Sequence, residues 1–147
     1  MYWTNTEFLL KKSFFINGGA GRVLCAIPAF EHYKKHVDPD VVIIAESWHE
    51  LFLTSATLRD NVYPMGHKSL FQDNLIDTEI ISLEPYRLNA YFNQKCNMIQ
   101  AFDMLINENT EDIPETKTFD LTISRDDQAF GHNTVRQIKS QFKKNLS

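Results

Sequence analysis

The tetrapeptide VVII at residues 41–44 is a run of consecutive β-branched residues, bounded by Asp38-Pro39-Asp40 before it and by Ala45-Glu46 after it. The run is too short for a helix, and its lack of alternation makes both faces apolar. A strand buried on both faces belongs inside a parallel sheet. Parallel strands cannot be joined by tight turns, so crossover segments, usually helices, must lie between them.

The chain supplies both. SFFING reads as a first strand centred on residues 14–17, and TEIISL as another centred on residues 79–82. NVYPM, at residues 61–65, is a third short strand in the same pattern. From Gly21 the period becomes helical, with Val23, Leu24, Ile27, Phe30 and Tyr33 recurring at spacings of three and four. Pro28 lies inside that helix, removes one backbone hydrogen bond and should bend it. SWHELFLTSATL is expected to be helical, with Ser47 as its cap and Glu50 three residues on. HKSLFQDNL is expected as a short helix. Residues 85–107 are expected as the longest helix, started by Pro85. Its apolar stripe would be Leu88, Tyr91, Phe92, Cys96, Ile99, Phe102 and Ile106.

After a polar connection, TFDLTIS alternates Phe119, Leu121 and Ile123 with Asp120 and Thr122, as a half-exposed strand does. Ser124 and Asp127 then open a last helix, with Phe130, Ile138 and Phe142 on one face and Lys139, Lys143 and Lys144 near its end. Residues 1–12 form a preface, with a short helix beginning near Asn5. Strands alternating with helices over residues 13–147 imply one Rossmann-like α/β domain: a mostly parallel sheet with helices on both faces.

Composition narrows the function classes. A chain of 147 residues suits one domain, and 43% apolar residues provide a core. The net charge of -4 argues against general binding to nucleic acid. Cys25 and Cys96 have no paired spacing and read as reduced thiols. No apolar run approaches a membrane span. The amino terminus lacks the basic start of a signal peptide, so a cytoplasmic location is expected.

In an open parallel sheet, ligands bind where the strands end. That rule selects residues 17–22, 46–49, 66–68 and 84–87. They bring Gly18, Gly19, Gly21, Arg22, Glu46, Trp48, His49, His67, Lys68 and Arg87 to one mouth, together with Glu84. The set suits a polar, anionic ligand, and Trp48 could stack on a sugar ring. Gly19-Ala20-Gly21 matches the first two glycines of the dinucleotide fingerprint, but Leu24 holds the place of the third. No Gly-Lys-Ser/Thr follows, so it is not a P-loop. The loop can offer backbone N–H groups to an anion, or serve only as a tight turn. No cofactor is expected.

The stretch INGGAGRVLCAIPAFEHYKKH resembles the opening of heptosyltransferase-like glycosyltransferases of the GT-B fold, which have two Rossmann-like halves. Gly21, Val23, Leu24, Ile27, Pro28 and Ala29 stand where that family has its glycine turn, apolar pair and Leu/Ile-Pro-Ala step. The chain is also similar to small glycosyltransferase-like proteins encoded by marine tailed phages. The resemblance implies the acceptor-side half of a nucleotide-sugar-dependent transferase. A partner domain, or a second copy in a homo-oligomer, would complete the donor and glycan acceptor sites. Two departures point to inactivity alone. Arg22 replaces the family's acidic residue, and arginine cannot act as a base at neutral pH. The donor half of that family would begin about where this sequence ends. The alternatives are a nucleotide- or anion-binding module, and a non-catalytic interaction protein that retains the fold.

Two other groupings are weaker. His32 and His36, one helical turn apart, could hold a metal but have no evident third ligand, so no metal site is expected. Asn89, Asn93, Asn97 and Gln100 would share a face of the long helix. Their amides suit sugar hydroxyls, or a solvated face.

Overall fold

A computed structural model describes residues 10–118 and 125–146. Its strands and helices alternate as β1 (Lys11–Ile16), α1 (Ala20–His36), β2 (Val42–Ala45), α2 (His49–Phe52), β3 (Val62–Pro64) and β4 (Thr78–Ser82). There follow α3 (Asn89–Phe92), α4 (Met98–Ile106) and α5 (Arg125–Leu146). The four strands form one sheet in the order β3-β2-β1-β4. Every pairing is parallel, with Phe14 beside Ile43 and Ile81, and Ile43 beside Val62. The expected α/β, Rossmann-like class is the one observed.

The alternation of side chains along each strand decides which face each residue serves. Phe14, Ile16, Val41, Ile43 and Ala45 join the main core with Val23, Ile27 and Phe30 of α1 and Phe102 and Ile106 of α4. Phe14 lies edge-on to Phe30 at 5.7 Å and to Tyr33 at 5.1 Å between ring centroids, and Phe30 meets Phe52 at 5.9 Å. Such pairs add about 0.5–1.5 kcal/mol each beyond burial. The other face is thinner: Val42 and Ile44 are covered by Leu70, with Phe15, Tyr63 and Leu75 around them. Helices flank both faces, but unevenly. Among the described residues one face carries α1 and α4, while the other carries the π-helical turn Leu70–Asn74.

Several local expectations are corrected. β1 begins at Lys11, inside the expected preface, because Lys11 and Lys12 pair with Thr78 and Glu79 of β4. The Lys11 ammonium donates to the Asp40 carbonyl at 2.6 Å, so its charge stays at the surface. Helix α1 runs through Pro28, which is buried against the core. Of SWHELFLTSATL only His49–Phe52 is helical. Ser47 does not cap it; its hydroxyl donates to the Gly18 carbonyl at 3.1 Å. Beyond Phe52 the Thr54 hydroxyl donates to the nearby Leu51 carbonyl and the Ser55 hydroxyl to Glu31 of α1, and the helix stops.

The expected long helix over residues 85–107 is three pieces: a 3-10 turn at Pro85–Arg87, then α3, then α4. Gln94 takes a left-handed φ of 59°, which ends α3. Asn97 then starts α4 through a capping box with Gln100. Phe92 therefore leaves the apolar stripe and is 68% exposed, and Cys96 sits in the intervening turn. The amides do not share one face either: Asn93 ends α3, while Asn97 and Gln100 cap each other.

Residues 119–124, expected as a strand, and the expected helix near Asn5 lie outside the described residues. Helix α5 forms as expected, with Phe130, Ile138 and Phe142 exposed along it. Among the described residues no helix is long and apolar enough to cross a membrane.

Candidate functional site

The order β3-β2-β1-β4 places a topological switch point between β1 and β4, because the chain leaves β1 toward β2 and returns to its other side. A crevice for ligands is expected there, outside the carboxyl ends of those strands. In this protein the crevice is occupied by Arg22. Its Nη2 donates to the Leu83 carbonyl at 2.7 Å, to Asn17 Oδ1 at 3.1 Å and to Glu84 Oε2 at 3.1 Å. Its Nη1 donates to Glu84 Oε1 at 3.3 Å. The guanidinium also lies over the Phe102 ring, 5.9 Å from its centroid.

Arg22 thus ties the glycine loop to the end of β4. A cation in the first turn opposes the helix dipole, and the Glu84 carboxylate offsets it. The bond from Arg22 holds the Glu84 carboxyl below the usual range, against the opposing effect of burial, with help from the Tyr86 N–H and the charge of Arg87. The Arg22 side chain is only 15% exposed. It is committed inside the protein rather than presented to an anion.

The glycines divide by role. Gly18 has a φ of +99°, and a Cβ there would lie 2.6 Å from Arg22 Cδ. Only glycine fits both the conformation and the space. Gly19 stands at the start of α1 without a side-chain cap, and the Val23 N–H donates to its carbonyl at 3.2 Å. Gly21 has open space where a Cβ would go, so no steric need explains it. Leu24, in place of a third fingerprint glycine, packs against the core.

The loop after β2 is joined to this structure from the other side. The Glu46 N–H donates to the Ile16 carbonyl at 3.0 Å, and Ser47 donates to Gly18. Trp48 is 49% exposed, with φ 60° and ψ 27°. That left-handed conformation costs a non-glycine residue of order 1–3 kcal/mol. A large aromatic is therefore held at the sheet's carboxyl edge against its own backbone preference. His49 Nδ1 is 3.7 Å from Glu50 Oε2. Glu46 is exposed.

The remaining expected residues sit on the same edge but are not drawn into the cluster. His67 is engaged locally: its Nδ1 lies 2.8 Å from Ser69 Oγ, and its ring packs on Tyr63 at 5.7 Å. Lys68 and Arg87 are exposed. The loop after β4, expected at the mouth, also contributes Tyr86, which the sequence reading did not name. Tyr86, 63% exposed, lies edge-on to Tyr91 at 5.2 Å. The signal available was an aromatic directly after Glu84-Pro85 at a strand end.

His32 and His36 do meet, with ring centroids 4.4 Å apart. Among the described residues no group of three or more His, Cys, Asp or Glu side chains could hold a metal ion. Cys25 and Cys96 are free thiols whose pKa values burial raises. No protein-family model, curated protein or solved structure matches this chain.

Proposed function

We propose that this chain is a glycosyltransferase-like domain that binds the acceptor sugar and does not catalyse transfer alone. The observation that carries the reading is Trp48. It stands half exposed and strained at the carboxyl edge of a parallel sheet, where ligands of such sheets bind. A flat, half-exposed indole face suits the C–H face of a sugar ring. Glu46 and His49 flank it in sequence and supply groups that hydrogen-bond hydroxyls.

The same geometry argues against unaided chemistry. The glycine-loop position that bears an acid in the resembling enzymes bears Arg22, and Arg22 is spent on Glu84. Glu84, held ionised by that contact, is a weakened base. Transfer would need a donor site from a second Rossmann-like unit, in a partner domain or a second copy. Two free thiols are in keeping with a cytoplasmic setting.

The test is a fluorescence and NMR titration of a Trp3→Phe background with mono- and disaccharides, alongside a transfer assay with a panel of nucleotide sugars. We expect saturable sugar binding that Trp48→Ala abolishes, and no transfer. Robust turnover by the chain alone, or no saccharide binding at all, would refute the proposal.

A further inference from the structure

On the helix-covered side of the sheet, away from the candidate mouth, lies a second concavity. It is an open cavity of about 730 Å³ between the second half of α1 and the approach to residue 118. Its charged lining is mostly basic: Lys34, Lys35, Lys117, His32 and His36 against Glu31, with Asp103 behind Lys117. The Glu31 carboxylate is already engaged, accepting from Ser55 Oγ at 2.7 Å. In a chain of net charge -4, this concentration of cations stands out.

Two of the lysines are fixed in place. Lys34 Nζ donates to the Thr57 carbonyl at 2.6 Å. Lys117 Nζ lies 3.0 Å from Asp103 Oδ2, and Asp103 is buried and also accepts from Asn107 at 2.6 Å. An ammonium has three donors, so each lysine keeps N–H groups beyond its anchoring contact. Anchoring at one acceptor lowers the ordering cost of holding a ligand with the others. Pro28 and Pro39 give the cavity an apolar floor.

We propose that this cavity binds a small organic phosphate, its phosphate group held by Lys35, Lys117 and the His32–His36 pair and its organic part resting on Pro28 and Pro39. The volume exceeds what one inorganic phosphate fills and falls in the range of small-molecule sites. The cavity carries a net positive field at His32. Burial, then the charges of Lys117, His36 and Lys35, lower the pKa of His32, with only Asp103 opposing. A bound phosphate reverses the sign of that field and raises the His32 pKa. Binding is therefore coupled to protonation of His32, and the charged groups bearing on it are Glu31, Lys34, Lys35 and His36 of α1, Asp103 of α4, and Lys117.

The experiment follows the imidazole C–H resonances of His32 and His36 by NMR while the intact chain is titrated with phenyl phosphate at constant ionic strength. Saturable shifts at both histidines are expected, with a raised His32 pKa in the complex. Lys35→Gln, at an exposed position, should preserve the spectrum elsewhere and weaken binding about tenfold, the size of one lost charge-assisted hydrogen bond. Shifts that never saturate, shifts that sodium chloride reproduces, or equal binding by Lys35→Gln would each overturn the proposal.

Discussion

Arg22 and Glu84 lie 62 residues apart in sequence and meet through two guanidinium–carboxylate hydrogen bonds, Nη1–Oε1 at 3.3 Å and Nη2–Oε2 at 3.1 Å. The same guanidinium reaches Asn17 and the Leu83 carbonyl. One side chain therefore closes the crevice between β1 and β4.

Arg22→Met should lower stability by about 2–3 kcal/mol, since it strips partners from a carboxylate and two other acceptors. Glu84 keeps 33% of its side chain in water, which limits the ionic share of that loss. Urea unfolding of the two proteins measures it; an unchanged midpoint would show that the contact contributes nothing.

Acid should remove the same contribution. The folded-state pKa of Glu84 is depressed, chiefly by the bond from Arg22, so its stabilisation is full above the ordinary glutamate range. It is lost as pH falls through the depressed value. The stability gap between the parent chain and Glu84→Gln should be widest at neutral pH and close progressively below about pH 4. A gap that stays constant from pH 7 to pH 3 would contradict the assignment.

Two glycines four residues or fewer from Arg22 should respond oppositely to alanine. Gly18→Ala meets Arg22 Cδ at 2.6 Å with φ at +99° and should cost about 1–3 kcal/mol. Gly21→Ala enters open space within α1 and should add about 0.5–1 kcal/mol. Paired thermal melts compare them directly, and a similar change in both would dismiss the steric account.

Trp48→Gly separates stability from binding. It removes the left-handed penalty and should raise stability by about 1 kcal/mol, while saccharide binding disappears. Calorimetry of unfolding and of binding reads both. Loss of stability would mean that the indole is needed for packing rather than for a ligand.

The parts legible in the sequence were those with local causes. The residues VVII, at 41–44, and the three-four spacing through Tyr33 are self-contained signals, and both elements formed. The helix expected over residues 85–107 failed for a local reason too. Asn97 and Gln100 spell a capping box, which announces a new helix rather than the middle of an old one. The Arg22 clamp had little local signal, because apart from Asn17 its acceptors arrive from Leu83 and Glu84. Trp48 was legible as an aromatic at a strand end, but its left-handed backbone was not, since the residue type itself disfavours it.

The strand order carries a consequence for how the chain acquires its shape. Among the described strands β1, the first in sequence, sits inside the sheet, and one of its two neighbours is β4. The β1–α1–β2 unit brings together residues near in sequence, whereas β4 must close a far longer loop, and long-range parallel pairing is slow. Until β4 arrives, the edge of β1 and the guanidinium of Arg22 wait without their partners. Pulse-labelled hydrogen exchange during refolding should accordingly protect the amides of Ile43 and Ile44 before those of Ile80 and Ile81, and the reverse order would exclude this route. Completion of the switch-point crevice thus follows the pairing of β1 with β2, and the contacts of Arg22 with Leu83 and Glu84 form only once β4 has docked.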